Sequence, residues 1–370
     1  MKETGTLYEN ISVTKQKNSE IEIAGEIPLA AVSLYRTKAL KKLSANARID
    51  GFRKGHVSEK VLIQKLGESG VMNEVAELVL SDAYPALVRD KKLDAIGAPR
   101  VTLTKLAPGN PIGFKIRTAV IPEFSLPDYK TIAREIMREP DDLHVTDVDI
   151  EQVLTEVRRG KARFDNTQKV GTSAKVPSGG EKAPDEIPPE GKSSNEEGLP
   201  ELEDAFVQTL GDFKTVEDFR ARVREDVKKN KEHKALEKKR VAISEKLIEK
   251  TSAELPDVLI ESELERMFAQ MKDDVLRVNM TFEDYLVHTK KTEKDLRNEW
   301  RGQAEKRAKL QLILNDIAKK EGISADHGEV HRQMDIILKK YKDAKPENVH
   351  AYLETQLLNE AVFAFLEKTE

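Results

Sequence analysis

Cysteine is absent from the chain, which excludes disulfides, thiol nucleophiles and thiolate metal sites. Aromatic residues make up 5% and hydrophobic residues 38%, against 35% charged. That balance is too poor in core-forming side chains for one compact globule of 370 residues. It suits an elongated, mostly helical molecule of two or three domains with much solvated surface. No run of about eighteen apolar residues occurs, so no transmembrane helix and no membrane partner are expected. Met1 to Lys17 lacks the apolar stretch of a secretory signal, and a soluble, cytoplasmic protein is the expectation. The formal net charge of -4 gives no whole-chain signal for nucleic acid, so any basic site must be local and DNA is not an expected partner. There is no P-loop, dinucleotide fingerprint or nucleophile–base constellation. No catalytic residue and no cofactor are therefore expected.

What is present falls into two differently patterned halves. From Tyr8 to Glu26 short extended pieces alternate, and between Pro28 and Ala45 the apolar residues Ala31, Leu34, Ala39 and Leu43 take roughly helical spacing. Helices are predicted from near Ser58 and from Ser69 to Arg89. After Pro99 the period changes to that of strands: Val101 and Leu103, then a turn at Ala107–Pro111, then Ile112, Phe114 and Ile116. Residues 1–125 read as one small α+β domain. Thr146, with Asp149 three positions later, caps a helix ending near Phe164. Residues 126–165 are expected to hold a connecting strand and this helix.

Residues 166–200 hold five prolines and five glycines and scarcely any large apolar residue, which predicts a flexible, disordered linker. Residues 201–370 read as all helix. Thr215 and Asp218 cap a stretch free of Pro and Gly until Pro256, long enough for one helix of about 35 residues. Its middle, Lys228 to Arg240, is nearly all polar, as in a helix bridging separately packed ends. Further helices are expected near Pro256, Thr281 and Thr292, and after Ser324 and Pro346.

The segment Gly51-Phe52-Arg53-Lys54-Gly55 lies between two N-terminal helices. Residues 36–60 contain Arg36, Lys38, Lys41, Lys42, Arg48, Arg53, Lys54 and Lys60 against Asp50 and Glu59, a strongly basic stretch in an acidic chain. A glycine-flanked tip with one aromatic and two cations suits docking on a surface of RNA and protein. On the residues alone, Phe52 folding back into the core is an equal alternative. The stretch Ile49 to Val57 resembles the ribosome-binding signature loop of trigger factor. The short helix from Glu59 to Leu66, Gly67, the longer helix, and Ala98-Pro99 before a hairpin match that family in kind. So does Leu199-Pro-Glu-Leu followed by Phe206. The resemblance spans roughly residues 5–164 and 200–367.

It implies a ribosome-binding α+β domain, an arm-like helix from Thr146, and an all-α, elongated C-terminal chaperone domain. It implies docking on the large ribosomal subunit, at an exit-tunnel ribosomal protein with flanking rRNA, through Gly51, Phe52, Arg53, Lys54 and Gly55 with Arg48, Lys41 and Lys42. The C-terminal helices would shield unfolded nascent polypeptides without ATP, and free molecules would form a homodimer. His56 stands where the family commonly has lysine, which weakens docking or makes it pH-sensitive. Ser58 stands where it commonly has proline and is expected to cap the next helix. An isomerase domain of the FK506-binding class usually lies where the linker is here. That interval is too short to fold as one, so prolyl isomerase activity is not expected.

Met267, Phe268, Met271, Leu276 and Met280 form a soft apolar series suited to varied unfolded clients, and equally suited to helix–helix core. Leu296, Trp300, Ala304, Ala308 and Leu312 read as packing. His327 and His331 stand four apart, but no third ligand is evident and no metal site is expected. Two other functions fit the same features: a ribosome-independent holdase, and an RNA-binding ribosome-assembly factor.

Overall fold

The structure is a computed structural model that describes residues 7–46, 57–170 and 199–369, without the side chains of 165–170. It divides into two compact units. One comprises Met1–Tyr129 and Glu245–Lys368; the other comprises Lys130–Ser244 and the last two residues.

The N-terminal part of the first unit is a four-stranded antiparallel sheet in the order β1-β2-β4-β3, with two helices on one face. Its strands are β1 (Glu9–Lys15), β2 (Glu20–Ile27), β3 (Ala95–Lys105) and β4 (Ile112–Val120). Asn18 and Ser19, both at positive φ, close the β1–β2 turn. Pro108 and Gly109 close the other hairpin, with Gly109 at φ 73° and Asn110 N–H donating to Ala107 O at 3.2 Å. Proline followed by a left-handed glycine is what a type II turn requires. Ile21, Ile23 and Ile27 of β2 and Ile112, Phe114 and Ile116 of β4 alternate inward. They meet Val32, Tyr35 and Ala39 of α1 (Leu29–Asn46) and Val75, Val79 and Leu87 of α2 (Glu59–Asp90). Gly67, at φ 74° and ψ 159°, breaks α2 into the short and long helices expected from the sequence.

Residues 126–165 hold a helix, α3 (Tyr129–Met137), where a connecting strand was expected. Tyr129, Ile132 and Ala133 are buried at helical spacing, while Pro127 just before them cannot donate to a ladder. The Thr146 cap is present: Asp149 N–H donates to Thr146 Oγ1 at 3.2 Å, and Thr146 N–H donates to Asp149 at 2.8 Å. The helix it opens, α4 (Asp147–Val170), runs past Phe164. Most of the expected linker, 171–198, lies outside the described residues.

The short α5 (Asp204–Val207) and the 35-residue α6 (Val216–Lys250) follow. Ile150 and Leu154 of α4 form one core with Val207, Phe219 and Val223. With them, α6 as far as Ser244 belongs to the second unit.

The remaining helices are α7 (Asp257–Arg277), α8 (Phe282–Thr289), α9 (Glu293–Glu321), α10 (His327–Lys340) and α11 (Pro346–Glu367). Thr281 and Thr292 cap α8 and α9 as their spacing predicts. These helices bury several small cores in place of one large one. Leu264 and Met267 pack with Ala304 and Ala308; Phe268, Phe282 and Leu296 form a second cluster; Val330, Val349 and Leu353 form a third.

Candidate functional site

The basic stretch around residues 36–60 is less free than its charge count suggests. Arg36 is held by Glu68 at 2.6 Å and Glu59 at 3.1 Å, and Lys42 by Glu74 at 2.6 Å and Glu77 at 3.6 Å. Lys38 lies 4.0 Å from Asp82 and over the ring of Tyr35. The hydrogen bond Arg36 donates to Glu68 raises its pKa, and the one Lys42 donates to Glu74 raises the Lys42 pKa. These cations tie α1 to α2. Lys41 and Lys60 are exposed and make no ion pair among the described residues. Arg48, Gly51, Phe52, Arg53, Lys54 and Gly55 lie outside those residues.

The segment's flank is described. Ser44 is buried near the end of α1 and makes two hydrogen bonds with the backbone of Val57. Ser58 stands at the N-cap of α2 with φ −70°, but its side chain makes no capping bond, contrary to expectation. Only its carbonyl serves the helix, accepting from Leu62 at 3.0 Å.

The five apolar residues proposed for client contact do not share one surface. Met267 and Phe268 are core, Met271 and Met280 are half-buried, and Leu276 is 61% exposed. Phe268 sits in an aromatic group: Trp300 at 4.8 Å, Phe282 edge-on at 6.1 Å, and the Arg297 guanidinium 4.9 Å over its ring. Shape and polarisability alone do not separate a client surface from such a core. From α7 to α11 the large apolar side chains that do meet solvent are Leu276, Val278 and Val287 at α7–α8, and Ile336, Tyr341 and Tyr352 at α10–α11. An open groove of about 520 Å³, lined by Ile337, Ala344, Val349 and Tyr352, adjoins the second set. His331 meets the ring of His350 at 5.9 Å. No group of three metal-ligating side chains occurs among the described residues.

In the second unit, α6 is more than the solvated bridge its sequence suggests. Lys231 donates to His144 O and to Asp149, both at 2.7 Å. Lys239, 8% exposed, donates to Met137 O at 3.1 Å, Glu139 O at 2.8 Å and Asp141 at 2.6 Å. Lys231 above all, and then the backbone of Thr146, hold the Asp149 carboxyl far below its usual range. Two lysines eight positions apart thus fasten residues 137–149 along α6. A lysine inside a polar run carries no sequence signal for this.

The fold defines a class: a multidomain, mostly helical protein with one small antiparallel sheet. Two family models match it, bacterial trigger factor protein over residues 9–157 and the bacterial trigger factor C-terminus over residues 215–369. The trigger factor of Halothermothrix orenii is 26% identical, over 92% of this chain and 92% of its own length. That of Trichormus variabilis is 25% identical over 96% and 91%. A solved structure described as "Promiscuous Substrate Recognition in Folding and Assembly Activities of the Trigger Factor Chaperone" has the same fold. Its TM-score is 0.53 at 18% identity, covering 98% of this chain and all of that one. The chain belongs to the trigger factor family of bacterial ribosome-associated chaperones.

Proposed function

We propose that this protein is an ATP-independent cytoplasmic chaperone that docks beside the ribosomal exit tunnel and shields nascent chains, without prolyl isomerase activity. The observation that carries the reading is the surface of the C-terminal helices. Their cores are small, and Leu276, Val278, Val287, Ile336, Tyr341 and Tyr352 stay in solvent. Apolar side chains left singly on capped helices offer many weak contacts, which release a client as it buries its own apolar residues. Docking is assigned to Gly51, Phe52, Arg53, Lys54 and Gly55, with Arg48 and Lys41. Lys60 joins them, and Lys42 is reassigned to holding α1 on α2 because its charge is already paired. The length and composition of residues 166–200 support the lack of an isomerase.

The test combines three assays on the full chain: co-sedimentation with 70S ribosomes, suppression of client aggregation, and proline-limited refolding. The expected result is ribosome binding abolished by Phe52→Ala/Arg53→Ala/Lys54→Ala, aggregation suppression weakened by Val287→Ser/Ile336→Ser, and no refolding catalysis. Tight RNA binding without aggregation suppression would favour an assembly factor. Suppression without ribosome binding would favour a free holdase.

A further inference from the structure

We infer that the β1–β2 turn and Gly97 form a latch that seats the sheet domain on the start of α7. Helix α7 is then a strut between that domain and the exposed Leu276 at its far end. Both partners lie in the first compact unit, although residues 130–244 separate them in the chain. Asn18 and Ser19 are the central residues of the turn. Glu20 N–H donates to Lys17 O at 3.3 Å across them, and both stand at positive φ, 57° and 51°. A two-residue hairpin turn of that kind favours Asn followed by Gly. Serine in the second place is strained. Its hydroxyl is engaged: it donates to Glu254 O at 2.7 Å, while Asn18 N–H donates to the Glu254 carboxylate at 3.4 Å.

A second contact lies on β3. Gly97 is at φ 70°, and a Cβ there would stand 2.7 Å from Val258 Cγ2 on the first turn of α7. Glycine is required twice at this position, by its own backbone and by its neighbour. The seat is rigid, since Leu255 is 5% exposed and packs with Leu264 and Ala304. The latch is weaker, because both of its hydrogen bonds are open to water. Where the chain leaves the domain, Tyr129 donates to Glu321 at 2.6 Å, so residues 121–128 form a short tether. With the latch open the sheet domain pivots on that tether. With it closed, Val258 at the seat and Leu276 lie on one helix, about 27 Å apart along its axis. The latch thereby sets how far the sheet domain stands from Leu276. That spacing serves a docked chaperone only on the docking reading above; the latch itself does not rest on it.

Cysteine is absent, so Thr102→Cys and Asp273→Cys, both at exposed positions, place two spin labels on the full chain. The distance between the labels should form one narrow distribution. Ser19→Gly/Val258→Arg in that background removes the hydroxyl, suits the φ of the turn and drives a charged side chain against Gly97. It should broaden the distribution at least about twofold, with hydrogen exchange at Ile23, Ile116 and Leu264 unchanged. Ser19→Gly alone should broaden it less. A native distribution as broad as that of the released variant overturns the latch, and so does a released variant as narrow as the native protein. If Val258→Arg speeds exchange at those core amides, Ser19→Gly alone decides, and a native-like distribution then overturns the inference. The distances are measured without ribosomes, so failure of the docking reading would leave the latch standing.

Discussion

Replacing Lys239 with methionine keeps the aliphatic stem and removes only the ammonium, which isolates what its three hydrogen bonds contribute. The ammonium has three protons and three acceptors, two of them backbone carbonyls, one at the last residue of α3 and one just after it. The Lys239 side chain is 10% exposed and that of Asp141 30%. Water can therefore re-solvate the carboxylate but reaches the carbonyls less well. Hydrogen bonds to charged groups contribute about 1.5–3 kcal/mol each, and partial re-solvation reduces the total. A local loss of about 2–4 kcal/mol is expected, confined to residues 137–149 and the facing stretch of α6. Native-state hydrogen exchange reads it directly, as an opening free energy for those amides. Asp141→Asn should lose about 1 kcal/mol on the same scale, and the double variant less than the sum, because the partners are shared. A loss below about 0.5 kcal/mol in Lys239→Met would refute the argument and show the site to be already hydrated.

Lys41→Ala should lower ribosome affinity and reduce the salt slope by about one, whereas Lys42→Ala should leave the slope unchanged and cost little stability, its ion pair being partly solvated. Because the Asp149 pKa is depressed in the folded chain, its contribution is present above the ordinary aspartate range, near 3.9, and is lost as pH falls below it. Lys231→Met should flatten that acid dependence in a titration followed by circular dichroism. Burial, and then the bond to Glu321 at 2.6 Å, push Tyr129 up to about 12. A raised pKa gives stability that is complete below the ordinary tyrosine value near 10 and fades as pH rises towards 12. Tyr35 is also pushed up to about 12, so tyrosinate absorbance should show more than one late-titrating group, and Tyr129→Phe should remove one of them.

Local chemistry was the legible part of this chain. Thr146, Thr281 and Thr292 announce their helices because a cap is a three-residue event. Pro108-Gly109 and Gly67 do the same for a turn and a break. The family resemblance was carried by residues 49–57, whose glycine-bounded basic pattern recurs rarely by chance. What escaped depends on partners distant in sequence. Arg36 and Lys42 count as docking charge until α2 places Glu68 and Glu74 against them. Lys239 reads as a solvated face until residues 137–141 cross it. Met267 and Phe268 have the composition of a client surface, and only the packing of α9 beside α7 makes them interior.

The chain has one tryptophan, Trp300, and it lies beside Phe268 where α7, α8 and α9 meet. Its emission is thus an intrinsic optical gauge of that junction, with no competing indole and no label to attach. Clients that engage the junction of α7, α8 and α9 should report through it.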